Sequence, residues 1–200
     1  MAPVIVDPDK VLPFETGDTF YAWLRDNHAA EDFLWVKFYK VHTGYPTLSY
    51  EEAVRAALCW GWIDGIKKKF DEEAYVLRFT PRRKASIWSL INVRHAESLI
   101  AAGLMQAPGL KEIEAAKADG RWERAYAPGT ELEVPQDFLD AVAADARAKA
   151  TFETLNRANL FALTFRINNA KRTDTRQRKI AQFVAMLARG ETLHPNGKQK

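Results

Sequence analysis

Period-two alternation marks the first strand. In FLWVKFYK (33–40), Leu34, Val36 and Phe38 alternate with Trp35, Lys37 and Tyr39, which is the pattern of a half-buried strand. WIDGIKKKFD (62–71) and EAYVLRFT (73–80) read as two further strands joined by a turn around Asp71–Glu73, with Val76 and Arg78 alternating against Leu77 and Phe79. Helical spacing lies between the first and second of these. Ser49 followed by Glu52 forms a capping box ahead of SYEEAVRAALCW, whose Ala53, Ala56, Ala57 and Trp60 mark an inward side, and Gly61 ends it in a left-handed conformation. An earlier helix runs from an Asp18 N-cap to about His28 behind an extended, proline-containing leader, and HTGYPT (42–47) is a loop.

From Ser86 onward the pattern is helical throughout. SIWSLINVRHAESLIAAG runs to Gly103, and Pro108 and Gly109 separate it from LKEIEAAKADG, which ends at Gly120. After the polar stretch APGTELEVP (127–135), Pro135 occupies a first helical turn, with Phe138, Leu139 and Val142 facing inward. Phe152, Leu155, Phe161 and Phe165 continue the helical pattern. A last helix from about Asp174 carries Ile180, Phe183, Val184 and Leu187 and closes at Gly190, leaving a loose tail. The fold class expected is α+β: a small antiparallel β-sheet of β-α-β-β order packed by helices over residues 1–128, then a C-terminal helical subdomain over 129–200. Because Trp35 and Tyr39 lie opposite the Leu34/Val36/Phe38 set, helices are expected to cover one sheet face.

Composition narrows the class without naming a function. Of 200 residues, 47% are hydrophobic and 28% charged, with 11 Phe, 6 Tyr and 6 Trp, enough for a core without disulfides. The single cysteine, Cys59, excludes an internal disulfide and any cysteine-based zinc cluster. No stretch reaches the roughly 18 apolar residues of a membrane span, and the N-terminal residues lack a secretory signal pattern, so a cytoplasmic protein is expected. The net charge of +3 is modest for a nucleic-acid binder.

Several blocks resemble a known family: FYAWLRDNH, LWVKFYKVHTG, ALCWGWIDG, FTPRRKASIWSLIN, GLMQAPGL, AKADGRW and AKRTDTRQRKI, in that order. They are similar to the YdeI/OmpD-associated (OmdA-like) family of bacteriocin-protection proteins over roughly residues 14–190. GWIDG and TPRR…S-WS-IN are the specific blocks, and AK…TR…RKI corresponds to the OmdA-like region. Leu104 departs from the pattern by standing where a basic residue is expected in the G-x-M turn. The resemblance implies a link to resistance against cationic peptides; it supplies no reaction, and the catalytic residues stay unknown.

The candidate chemistry gathers at one strand-to-helix corner. Arg82 and Arg83 leave a strand and lead to Ser86, the expected N-cap of a helix that offers free N–H groups to an anion. On the following helix Trp88, Asn92 and His95 fall within about 60° of one another at 100° per residue. If the preceding strand runs beside WIDG, Trp62 and Asp64 join them. The expectation is a site for an anionic small molecule lined by Trp62, Asp64, Arg82, Arg83, Ser86, Trp88 and Asn92, with Asp64 the nearest thing to a general base. The structural alternative is that Asp64 pairs with an arginine, the indoles fill core, and Ser86 is a cap worth about 1 kcal/mol.

Cys59, near the end of an alanine-rich helix, reads as an inert core thiol. The four histidines are dispersed and no metal-binding or nucleotide-binding spacing occurs, so no metal or cofactor is called for. Residues 166–179, RINNAKRTDTRQRK, set Arg166, Lys171, Arg172, Arg176, Arg178 and Lys179 against Asp174 alone. Arg172, Arg176, Arg178 and Lys179 therefore define an alternative function, a protein- or polyanion-binding surface on the C-terminal helices without catalysis. Their run has no interleaved aromatics, which argues against a sequence-specific nucleic-acid reader.

Overall fold

The sheet contains the three strands expected and one more. In the computed structural model, which describes residues 4–128, 131, 133–170 and 172–196, β2 (Leu34–Tyr39), β3 (Trp62–Lys69) and β4 (Ala74–Pro81) pair antiparallel, with β4 between the other two. The leader adds β1 (Val11–Pro13), paired parallel to β2 through Val11–Trp35 and Pro13–Lys37. The sheet is thus mixed, in the order β1-β2-β4-β3. Three residues are too few to show alternation, and Pro13 is tolerated because β1 is an edge. Pairing of β3 with β4 shifts register between Asp64 and Lys67, a bulge that follows the glycine of GWIDG.

By contact, the chain divides into two compact units, residues 1–125 and 126–200; the junction expected at 127–135 lies partly outside the described residues, at 129, 130 and 132. In the first unit, α1 (Gly17–Asn27) and α2 (Tyr50–Cys59) cover one face of the sheet. Phe20, Leu24, Ala53, Ala56 and Ala57 pack there against Leu34, Val36, Phe38, Leu77, Phe79 and Trp62. On the opposite face Trp35 is also buried. Cation–aromatic stacks line that face: Arg78 over Phe33 at 4.4 Å, and Lys37 over Tyr39 and Phe70 at 4.7 and 4.8 Å.

Helix α2 is apolar on a second side as well. Val54, Leu58 and Cys59 pack against Val93, Ala96 and Leu99 of α3 (Leu90–Ala101), and against Ile113 and Ala116 of α4 (Ala107–Ala118). Several helix starts differ from expectation. Thr16, not Asp18, caps α1, its hydroxyl accepting from the Thr19 amide at 3.3 Å. Ser89, not Ser86, caps α3, accepting from the Asn92 amide at 3.1 Å. Pro108 and Gly109 lie inside the first turn of α4 rather than ahead of it; proline suits that turn because its missing N–H has no partner there in any case.

The second unit is helical: α5 (Gln136–Ala143), α6 (Ala146–Phe152), α7 (Arg157–Asn168) and α8 (Thr173–Ala188). Phe138, Val142, Leu163, Ile167, Ile180, Phe183 and Leu187 form its core. Leu139 and Val184, expected inward, are only half-buried. Arg176 holds α8 to its neighbours. Its Nε and Nη2 donate to the Asp137 carboxylate of α5 at 2.7 and 2.8 Å, and its Nη1 donates to the Ile167 carbonyl at the end of α7 at 3.3 Å. At the other end of the unit Asn159, fully buried, donates to the His194 carbonyl and accepts from the His194 amide, at 3.1 and 2.9 Å.

Two stability predictions follow from these contacts. A Cβ on Gly109 would stand 2.5 Å from the carbonyl oxygens of Leu58 and Cys59, whereas one on Gly44 meets nothing within 4 Å. Gly109→Ala is expected to cost about 2–4 kcal/mol by overpacking. Gly44→Ala should cost about 1–2 kcal/mol, for its left-handed backbone alone; denaturant titration compares the two. Hydrogen bonding from Arg176 holds the Asp137 carboxyl below the usual carboxylate range. A depressed folded-state pKa stabilises above the ordinary value of about 4 and is lost as pH falls through the folded value. Asp137→Asn should therefore lower stability by about 1 kcal/mol at pH 7, the pair being partly exposed. That deficit should vanish once the wild-type carboxyl is protonated, as thermal melts across pH would show.

Candidate functional site: a cleft on the third face of α2

Glu52, Arg55, Ala56 and Cys59 recur at i, i+3, i+4 and i+7, so they share one face of α2. That face opens onto a cleft of about 470 Å³. Its other walls are the first turn of α1 (Thr16, Gly17, Asp18) with Tyr21, and Leu99 and Leu104 at the end of α3. The volume falls within the range of small-molecule sites.

The polar end of the cleft is already partly committed. Glu52 accepts from the Ser49 amide at 2.7 Å and from the Gly17 amide, and these backbone hydrogen bonds hold its carboxyl below the usual range. The Thr19 amide is spent on Thr16. The first turn of α1 is thus largely closed to a guest. Arg55 differs. Its Nη1 lies 3.3 Å from His95 Nδ1, and no carboxylate among the described residues forms an ion pair with it. A guanidinium only donates, so Nδ1 is the acceptor and the imidazole proton sits on Nε2. Arg55 keeps further donors beside the cavity.

The rest of the lining is largely apolar. The Tyr21 hydroxyl donates to the Leu104 carbonyl at 3.4 Å, and burial raises its phenol above the ordinary value. Burial also pushes the Cys59 thiol up to about 11, the nearby Arg55 charge pulling it back only in part. A thiol so placed is protonated near neutral pH and is a poor nucleophile. Among the described residues no group of three or more His, Cys, Asp or Glu side chains can hold a metal ion. The chemistry available to the cleft is recognition of a charged group at one end and burial of an apolar body at the other.

None of the seven residues predicted from sequence lines this cleft. Trp62 and Asp64 are on β3, and β3 does run beside β4, but Trp62 is buried with its indole N–H donating to the His28 carbonyl at 3.2 Å. Asp64 accepts from the Tyr50 hydroxyl at 3.0 Å, not from an arginine. Arg82 is buried with its guanidinium 3.6 Å over the Trp88 ring, and Trp88 packs edge-on to Trp122 in the second cluster. Arg83 is exposed; its amide donates to Ser86 Oγ at 3.0 Å, and the Ser86 carbonyl accepts from Arg121 at 2.9 Å. Asn92 is in the first turn of α3, half-buried. The structure joins Arg82 to Trp88 and Arg83 to Ser86, and places the two indoles in separate clusters.

In the second unit Arg172 pairs with Asp174 at 2.9 Å and Arg176 with Asp137, while Arg178 is exposed and Lys179 partly so; Lys171 lies outside the described residues. Sequence reasoning passed over Tyr21, Arg55 and Leu99, noted Leu104 only as a departure in the G-x-M turn, and used His95 only as a neighbour of Asn92. The available signal was the arginine at position 55, between Val54 and Ala56 of a helix apolar on two sides.

Comparison with known proteins places both units in families. Residues 12–112 match a domain of unknown function (DUF8412), a span that holds every residue lining the cleft. Residues 131–190 match the family described as bacteriocin-protection, YdeI or OmpD-associated, in agreement with the sequence resemblance. No curated protein and no solved structure matches the chain. No helix among the described residues is long and apolar enough to cross a membrane. The chain belongs to the DUF8412 family, whose model matches its cleft-bearing half, and its residues 131–190 are similar to the bacteriocin-protection, YdeI or OmpD-associated family.

Proposed function

We propose that the N-terminal unit binds a small molecule carrying a negative charge, held in the cleft by Arg55. One observation carries this: a guanidinium lining a 470 Å³ cavity whose hydrogen-bond partner is an imidazole instead of an acid. Charges withdrawn from water are ordinarily paired, and Arg55 is half-buried. An arginine without an acidic partner at a cavity is suited to a carboxylate or similar group from outside, which its planar fork can meet with two hydrogen bonds. The anion-binding expectation is kept, and α2 replaces the strand-to-helix corner as its proposed seat, because Arg82 is stacked on Trp88 at that corner and Trp62 is buried in the other cluster.

Binding without turnover fits the cleft better than catalysis. Its one thiol is pushed upward and its one phenol is engaged with a carbonyl, so neither is activated. The protective role named in the description of the C-terminal family would then be exercised by a ligand-bound protein.

A thermal-shift screen of the full chain with small carboxylates, sulfonates and phosphates tests the proposal. At least one class should raise the melting temperature. Arg55→Ala should weaken binding by about 10- to 100-fold, the worth of a charge-assisted contact, with circular dichroism unchanged, and Arg55→Lys should restore part of it. Stabilisation that survives Arg55→Ala and disappears in Arg83→Ala would return the anion to the corner and overturn the proposal.

A further inference from the structure

The cleft discriminates among anions, and the geometry points to a monocarboxylic acid with an apolar body as its ligand class, an inference that rests on Arg55 as the anchor proposed above. Two carboxylates, Asp18 and Glu52, share the polar end with the single guanidinium. Glu52 is one helical turn before Arg55 on the same face, so their Cβ atoms are about 5–6 Å apart, and the backbone amides bonded to Glu52 keep it ionised. A singly charged carboxylate can satisfy Arg55 in this setting. A dianionic phosphate brings a second charge into the field of two acids and is repelled. The rim thus selects against phosphate esters and nucleotides even though its anchor is an arginine.

The rest of the cavity specifies the body of the guest. Beyond Arg55 the walls are Ala56, Cys59, Leu99, Leu104 and the ring of Tyr21. The Tyr21 hydroxyl is turned to the Leu104 carbonyl, and a neutral thiol is a weak donor. The strong donor of this part of the lining is thus committed, which leaves apolar contact as the main recognition it offers a guest. Leu104 is 49% exposed at the rim, so a guest with alkyl or aryl surface would remove its side chain from water. Straight-chain and aryl acids share this chemistry, and the assay separates them.

Isothermal titration calorimetry of the full chain at pH 7.5, with acetate, hexanoate, octanoate, 3-phenylpropionate and hexyl phosphate, tests the class. Affinity should rise at least tenfold from acetate to hexanoate, since each buried methylene is worth up to about fourfold. Hexyl phosphate should bind more weakly than hexanoate, and Asp18→Asn, in an exposed first turn, should narrow that gap. Leu104→Ser should weaken hexanoate and leave acetate unchanged; a melting curve equal to wild type establishes that the variant is folded. The tighter of octanoate and 3-phenylpropionate identifies the alkyl or the aryl source. Acetate binding as tightly as hexanoate, or hexyl phosphate binding more tightly, would overturn the ligand class while leaving the Arg55 site in place if Arg55→Ala still abolishes binding. No heat from any of the five probes at millimolar concentration, or heat unaffected by Arg55→Ala, would overturn both.

Discussion

Everything in the first unit depends on α2 being buried along two sides at once. Ala53, Ala56 and Ala57 bring it close to the sheet, and Val54, Leu58 and Cys59 lock it under α3 and α4. Small residues on the first side permit the close approach. Gly109 permits the second, where the α4 backbone meets the last carbonyls of α2 with no space for a methyl group. A helix held this way has little freedom to rotate, so the remaining face, with Arg55 and Cys59, is fixed in direction as well as in position. The cleft is the space that α1 and the end of α3 leave over that face.

This arrangement explains why a single charge is worth attention. Arg55 is half-buried on this face, and the acid one turn earlier is already engaged with the backbone of Ser49 and Gly17. The pairing with His95 is a neutral-ring contact that offsets part of the desolvation and none of the charge. The lone cysteine has the opposite character: buried under the same helix face and pushed upward, it contributes volume in place of reactivity. The C-terminal unit shows how a conspicuous charge run can be structural. Arg176 sits amid the basic stretch, yet its guanidinium is taken up by Asp137 and the end of α7.

Most of the architecture was legible in the sequence, and the cleft was not. The alternation in 33–40 and 73–80, the capping box at Ser49 and the helix-closing Gly61 correspond to observed elements. The parallel strand β1 escaped because three residues cannot display a period. Asp18 and Ser86 drew the helix starts because they are good capping types, but the hydroxyls of Thr16 and Ser89 are the ones that accept from the first-turn amides of Thr19 and Asn92. The corner attracted attention because tryptophan and arginine crowd there, and in the fold that crowding is packing: Arg82 lies flat on Trp88, and Trp62 is bonded to His28. The cleft was invisible because it is assembled from positions 16–21, 52–59 and 99–104, which no local spacing connects; Arg55 within an apolar helix was the one local clue.

The most direct test of the central claim is residue-level mapping on the full chain by nuclear magnetic resonance, with 3-phenylpropionate as the probe. If Arg55 anchors an acid in the cleft, its side-chain N–H resonances should shift on titration together with amides of residues 17–21, 55–59 and 99–104, and those of 82–92 should stay in place. Shifts centred on 82–92 or on 172–179, with the Arg55 resonances unmoved, would contradict the account.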